Sequence, residues 1–228
     1  MLLVLRTLVG VAMQLVFFAA LMLGPIGTTD WPAAIVWLQV YALLVFGSAA
    51  YLLITRPAAI EARMRVGREA QTPKDRLALS LMIMSMMVPV VIASLDVFYW
   101  QLLMPVSPLM QAVGMAVFLV GFVFSVLSML HNEFAAPTVH IQEDAGHYLA
   151  DEGIYAYLRH PMYSGFLFFF AGMTLWLGSY AATLLAVVCL ILSTIYRIGI
   201  EEEVLKKDLP GYSDYMQKVK TRFLPFIY

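Results

Sequence analysis

The 36 residues from Pro161 to Tyr196 contain no Asp, Glu, Lys or Arg. A spanning helix needs about 20 consecutive apolar residues, so this run is too long for one ordinary crossing. Gly178-Ser179 sits near its middle, which predicts a tight hairpin of two short helices. Each would be about 24 Å long at 1.5 Å per residue, adequate for a thinned or partly protein-shielded bilayer. Four more charge-free stretches precede it, Thr7–Thr29, Trp31–Thr55, Leu77–Leu95 and Leu109–Leu130. Gly24-Pro25-Ile26-Gly27 should end the first helix, and Pro32 suits the first turn of the second. The pattern predicts an all-α polytopic membrane bundle of about six spans, the last two a tight hairpin. A five-span variant with a re-entrant end is the alternative.

Composition agrees. The chain is 62% hydrophobic and 13% charged, against about 45–50% and 25% for soluble domains. That excludes both a soluble globular domain and a disordered chain. The net charge of −1 provides no basic field for nucleic acid, and the single Cys189 excludes an intramolecular disulfide framework.

Six spans place all 14 Lys and Arg residues on one side, and of the 15 acids only Asp30 and Asp96 on the other. The bias predicts that both termini are cytoplasmic. The first hydrophobic segment is not expected to be a cleavable signal peptide, because no convincing small-residue site follows it. The chain divides into an N-terminal four-span bundle, 1–130, with a basic loop 56–76, and a C-terminal region, 131–228. The basic loop reads as an interfacial helix and topology anchor. The 131–159 loop, with His160 just beyond it, holds all four histidines. Their spacing lacks the tight local pairs of a zinc site, so no metal is expected.

Two patterns carry candidate chemistry. Arg159-His160-Pro161 stands where the hairpin leaves the cytoplasmic side, and Pro161 at a first helical turn leaves nearby backbone N–H groups for an anion or polar ligand. Tyr155, Tyr157 and Tyr163 around it are either interfacial aromatics or walls for an adenine or lipid headgroup. At the exit of the last span, Arg197 and Glu201 are spaced i,i+4 and share a helix face. Three successive carboxylates, Glu201-Glu202-Glu203, are unfavourable for a mere membrane anchor. Arg197 reads either as a snorkelling side chain or as a bidentate holder of an anionic substrate.

Four blocks in order, Gly153–Tyr163 containing Arg-His-Pro-x-Tyr, Arg197–Glu202, Gly211-Tyr212-Ser213-Asp214-Tyr215 and Arg222-Phe223-Leu224-Pro225, resemble the isoprenylcysteine carboxyl methyltransferase family of integral-membrane enzymes. The resemblance covers roughly residues 130–228. It implies S-adenosylmethionine as cofactor, held on the cytoplasmic side by Gln142, His147, Tyr148, Leu149, Ala150, Tyr155, His160, Pro161, Met162, Tyr163 and Glu202. It implies Arg197 as the residue that orients the acceptor, with Glu201 beside it. The expected partner is a lipid-soluble or lipidated acceptor, most simply a prenylcysteine-like carboxylate, reached through membrane lipid. Other readings are phospholipid N-methylation, an NADPH-dependent membrane reductase, or a transporter or accessory bundle; the scarcity of charge inside the spans weighs against transport. The membrane would be the plasma membrane in a bacterium or the endoplasmic reticulum in a eukaryote. Gly114 and Gly121, seven apart on one helix face, hint at close helix packing, with oligomeric state open.

Overall fold

The computed structural model describes residues 2–64, 72–132 and 149–224. Eight α-helices lie among them: α1 Leu2–Leu23, α2 Pro32–Thr55, α3 Pro57–Met64, α4 Pro73–Leu95, α5 Pro108–His131, α6 Pro161–Trp176, α7 Tyr180–Asp208 and α8 Tyr212–Lys218. No strand occurs among the described residues. Five helices, α1, α2, α4 with its π-turn extension to Trp100, α5 and α7, are long and apolar enough to cross a membrane. The chain is an all-α polytopic membrane bundle.

Local sequence sets these boundaries. Proline stands in the first turn of α2, α4, α5 and α6, where its fixed φ fits and its missing N–H goes unneeded. Thr72, Ser107 and Ser179 cap α4, α5 and α7 through their hydroxyls, each satisfying a helix-end donor. The hairpin forms at Gly178, whose φ of +102° suits glycine far better than an L side chain. At 16 residues α6 has the expected length of about 24 Å. Its partner departs from the expected pair of short helices. α7 runs 29 residues, about 43 Å, because nothing between Arg197 and Asp208 stops it before Leu209-Pro210. The carboxylates Glu201–Glu203 therefore ride on the same rigid rod as the span.

Packing follows membrane logic, in which apolar area alone does not drive helices together and close backbone contact does. Helices α5 and α6 run antiparallel with two glycine pairs face to face. A Cβ on Gly114 would lie 2.9 Å from the Gly172 carbonyl, and one on Gly121 would lie 2.7 Å from the Gly165 carbonyl. The Gly114/Gly121 face is thus used inside one chain. Aromatic rings fill the bundle centre: Trp37 stacks on Tyr41 at 4.8 Å, and Phe118 meets Phe169 edge-on at 4.8 Å, pairs worth about 0.5–1.5 kcal/mol beyond area burial. At the end carrying the α6–α7 turn, buried Asp96 accepts hydrogen bonds from Leu102 N (2.8 Å) and from the Ser179 hydroxyl (2.6 Å). That carboxylate closes the π-turn and ties α4 to the hairpin.

Candidate active site

The opposite end of the bundle gathers the starts of α4 and α6 and the C-terminal part of α7. There Arg159, His160, Tyr163, Arg197, Glu201, Glu202 and Asp75 meet. Arg159, His160, Arg197, Glu202 and Asp75 are all buried, so their charges need partners. Glu202 Oε1 accepts from Arg159 Nε at 2.9 Å and lies 2.9 Å from Arg159 Nη2. His160 Nε2 lies 3.2 Å from the same oxygen, and Arg222 Nε stands 3.6 Å from Oε2. The His160 Nδ1 side faces Glu201 Oε1 at 3.9 Å, so the imidazole sits between two carboxylates. Its ring stacks on Tyr163 at 5.7 Å, and the Tyr163 hydroxyl donates to Glu201 Oε2 at 2.6 Å. Tyr163 also interacts with Arg197, whose Nη1 pairs with Asp75 Oδ1.

A strap made by the C-terminal tail encloses this cluster. Arg159 N donates to Thr221 O (3.1 Å) and His160 N to Arg222 O (2.8 Å). The Arg159 guanidinium adds bonds to the Val219 and Lys220 carbonyls at 2.8 and 3.3 Å, and the Ser164 hydroxyl donates to Phe223 O. Phe223 plugs into the main core. Arg159 thus acts as a clasp between the α6 start, α7 and the tail.

Beneath the strap lies a small apolar layer of Leu209, Tyr212, Tyr215 and Val219, against which Leu149 packs. The Tyr215 hydroxyl donates to the Tyr155 carbonyl at 2.7 Å, fixing the short 3₁₀ turn Gly153–Ala156. Burial raises the Tyr215 pKa well above the ordinary value. Tyr212 is raised as well, by burial first and then by the carboxylates of Glu202 and Glu201. Its buried hydroxyl has no hydrogen-bond partner among the described residues.

Of the residues singled out in the sequence, the fold brings together His160, Tyr163, Arg197, Glu201 and Glu202. Pro161 is buried at the start of α6, and Met162 beside it is half-buried. Leu149 packs on the layer under the strap, Tyr155 is bonded to its Tyr215, and Ala150 is half-buried. Gln142, His147 and Tyr148 lie outside the described residues. Tyr157, by contrast, is 77% exposed among the described residues. Sequence reasoning missed Asp75, and it missed the clasp role of Arg159. In sequence Asp75 stands between Lys74 and Arg76 at the end of the basic loop, so nothing local marked it out.

Next to the cluster, a cavity of about 590 Å³ opens among α1, α2, α4, α5 and α6, roofed by Ile60 of α3. Its lining is mostly apolar, with Thr7, Gln14, Ser48 and Ser125 among the scattered polar groups. It extends along α1 from Thr7 to Phe18, about 16 Å, and ends on the rings of Phe18, Tyr41, Phe169 and Phe170. Phe166 belongs to this lining and its ring stands 6.2 Å from that of Tyr163, so cavity and polar cluster adjoin.

Fold and site define a class: a helical membrane bundle that holds a buried ionic cluster at one face and an apolar chamber within. Comparison narrows it. Residues 109–210 match the phospholipid methyltransferase family. A protein-S-isoprenylcysteine O-methyltransferase of Schizosaccharomyces pombe is 39% identical over 74 residues, 32% of this chain. The resemblance read from the motif blocks is borne out. The chain matches 31% of the length of that relative.

Proposed function

We propose that this chain is an integral-membrane, S-adenosylmethionine-dependent methyltransferase that transfers a methyl group to a lipophilic acceptor, with its site on the cytoplasmic face. The observation carrying this reading is the meeting of His160 and Glu202, 42 residues apart, at 3.2 Å. That contact welds the Arg-His-Pro block to the Arg-x-x-x-Glu-Glu block. The residues present fit the cofactor. A buried Tyr212 hydroxyl, without a hydrogen-bond partner among the described residues, offers a polar contact, half-buried Glu201 offers a carboxylate for ribose hydroxyls or an ammonium, and Leu149 and Tyr155 offer apolar surface. His160, Pro161, Met162, Tyr163 and Glu202 complete the set, with Gln142, His147, Tyr148 and Ala150 expected to join it. The cofactor's sulfonium supplies the electrophilic methyl.

The protein's part is alignment, which dominates displacements of this kind. An acceptor carboxylate, with a pKa near ~4, is already ionised and needs orientation alone. Arg197 provides it through a charge-assisted contact, and the adjoining cavity takes the acceptor's hydrocarbon chain out of the bilayer. The prenylcysteine-like acid is therefore the favoured acceptor. A second reading, methylation of an ethanolamine lipid, is favoured by local charge: Asp75 and Glu201 outnumber Arg197. That reaction needs a base, and Glu201 or His160 stands ready for it.

The test uses the purified full chain in detergent. Calorimetry should show binding of S-adenosylhomocysteine and not of NADPH. Labelled methyl groups should then pass to S-farnesylated N-acetylcysteine in preference to phosphatidylethanolamine vesicles. Methylation of the amine alone refutes the carboxylate reading, and folded protein that binds no S-adenosylhomocysteine refutes the whole.

A further inference from the structure

The buried arginine of this site is held by a residue outside the stretch 109–210 that matches the methyltransferase family. Arg197 is 1% exposed and Asp75 3%, and the two pair across the α4–α7 contact. Arg197 Nη1 also approaches the Asp75 main-chain carbonyl at 3.5 Å. Asp75 stands in the first turn of α4, where Thr72 accepts a hydrogen bond from its N–H at 3.2 Å. An acidic residue there would ordinarily serve the helix N-terminus in solvent. Instead its carboxylate is buried against α7, and Oδ2 has no hydrogen-bond partner among the described residues.

That arrangement is a poor way to join two helices. A carboxylate oxygen buried without a donor is costly, and well-packed apolar residues often replace a buried ion pair without loss. Among the described residues Oδ2 takes no hydrogen bond, so the pair is not the two-pronged fork that maximises arginine–carboxylate binding. What the geometry does achieve is orientation. Asp75 fixes the guanidinium from the α4 side while Tyr163, tethered to Glu201, meets it from α6.

We propose that Asp75 is a positioning residue of the methyl-transfer site, setting the orientation and effective charge of Arg197 toward the acceptor. The assignment rests on the methyl-transfer reading above. It makes α4 part of acceptor recognition, and with it the N-terminal half of the chain. Neutralising Asp75 leaves Arg197 with a stronger positive field but an unfixed plane. An anionic acceptor is then held no less tightly, yet out of line, so the loss falls on kcat and not on KM.

The experiment compares wild type, Asp75→Asn, Arg197→Gln and the double variant in detergent, with S-adenosylhomocysteine affinity as the check on a folded cofactor site. Asp75→Asn should keep that affinity within about twofold, lower kcat about tenfold or more, and leave acceptor KM unchanged or lower. In the Arg197→Gln background Asp75→Asn should cost no further turnover, since it acts through that arginine. Unchanged kcat, a raised KM alone, or multiplicative effects in the double variant overturn the assignment. If Asp75→Asn does not fold, Asp75→Glu carries the test. It keeps the charge and displaces it by one methylene; a reduced kcat at wild-type cofactor affinity supports the role, and wild-type kinetics overturn it. A wild-type chain that transfers no methyl group refutes the proposed function, and this assignment with it. An active wild type matched by its Asp75 variants refutes this assignment alone.

Discussion

Replacing Arg159 with methionine should release the C-terminal strap while leaving the membrane bundle intact. The arginine makes two contacts of 2.9 Å to Glu202 Oε1 and two hydrogen bonds to the Val219 and Lys220 carbonyls. Breaking a buried pair by removing one partner typically costs about 3–5 kcal/mol. Glu202 keeps His160 at 3.2 Å and Arg222 at 3.6 Å, which holds the cost to the lower end, about 3 kcal/mol. Methionine preserves most of the buried volume, so little of this is a packing loss. The strap attaches to the α6 start through the main-chain bonds of Arg159 and His160 to Thr221 and Arg222. The opening that exposes those two amides should therefore become about 100-fold more populated, at 1.4 kcal/mol per tenfold. Hydrogen exchange followed by mass spectrometry reads this directly. Protection in 158–160 and 219–224 should fall by about two orders of magnitude, while α5 and α6 exchange as in wild type. Protection that changes less than about threefold would refute the clasp, and a uniform loss across the bundle would show that Arg159 supports the whole fold instead.

Three further outcomes are expected. Gly121→Leu should disrupt the α5–α6 contact, where even a Cβ would sit 2.7 Å from the Gly165 carbonyl; overpacking costs about 1–3 kcal/mol and more against backbone, so thermal unfolding in detergent should drop by several degrees, and an unchanged midpoint would contradict the packing. Ala49→Trp, placed on the cavity lining, should raise KM for a farnesylated acceptor more than for a short-chain analogue, with cofactor-product affinity unchanged. Loss of cofactor affinity instead would show that the chamber belongs to the other substrate. The buried tyrosines under the strap predict an alkaline transition. Tyr212 and Tyr215 have pKa values raised in the folded state, so their contribution is complete below the unfolded value near ~10 and declines as pH rises above it. Exchange in α8 should accelerate there, and the double Tyr→Phe variant should not show that acceleration.

The architecture was largely legible because a bilayer imposes a coarse rule: charge-free stretches must cross it, and prolines and glycines must sit at their ends. Pro32, Pro161 and Gly178 each fall where the helices start or turn. The site was legible only where its residues share a helix or a short motif. Arg197, Glu201 and Glu202 lie on one rod, and His160 and Tyr163 on one helical turn; spacing paired Arg197 with Glu201, and the resemblance of the motif blocks supplied Glu202, His160 and Tyr163. Asp75 was not legible in that way. Its partner lies 122 residues away, in a pairing created by the packing of α4 on α7, and in sequence it looks like one more charge in a basic loop. Arg159 shows the complementary failure. Its motif marks it as part of a ligand site, yet three-dimensional contacts spend it on Glu202 and on carbonyls of a strap about 60 residues downstream. Buried ionic clusters tend to behave this way, because each charge must be satisfied by whichever element the fold brings nearest. The residues that touch substrate and the residues that hold them in place are therefore drawn from one pool of scarce charges, and only kinetics that separate binding from turnover can tell the two apart.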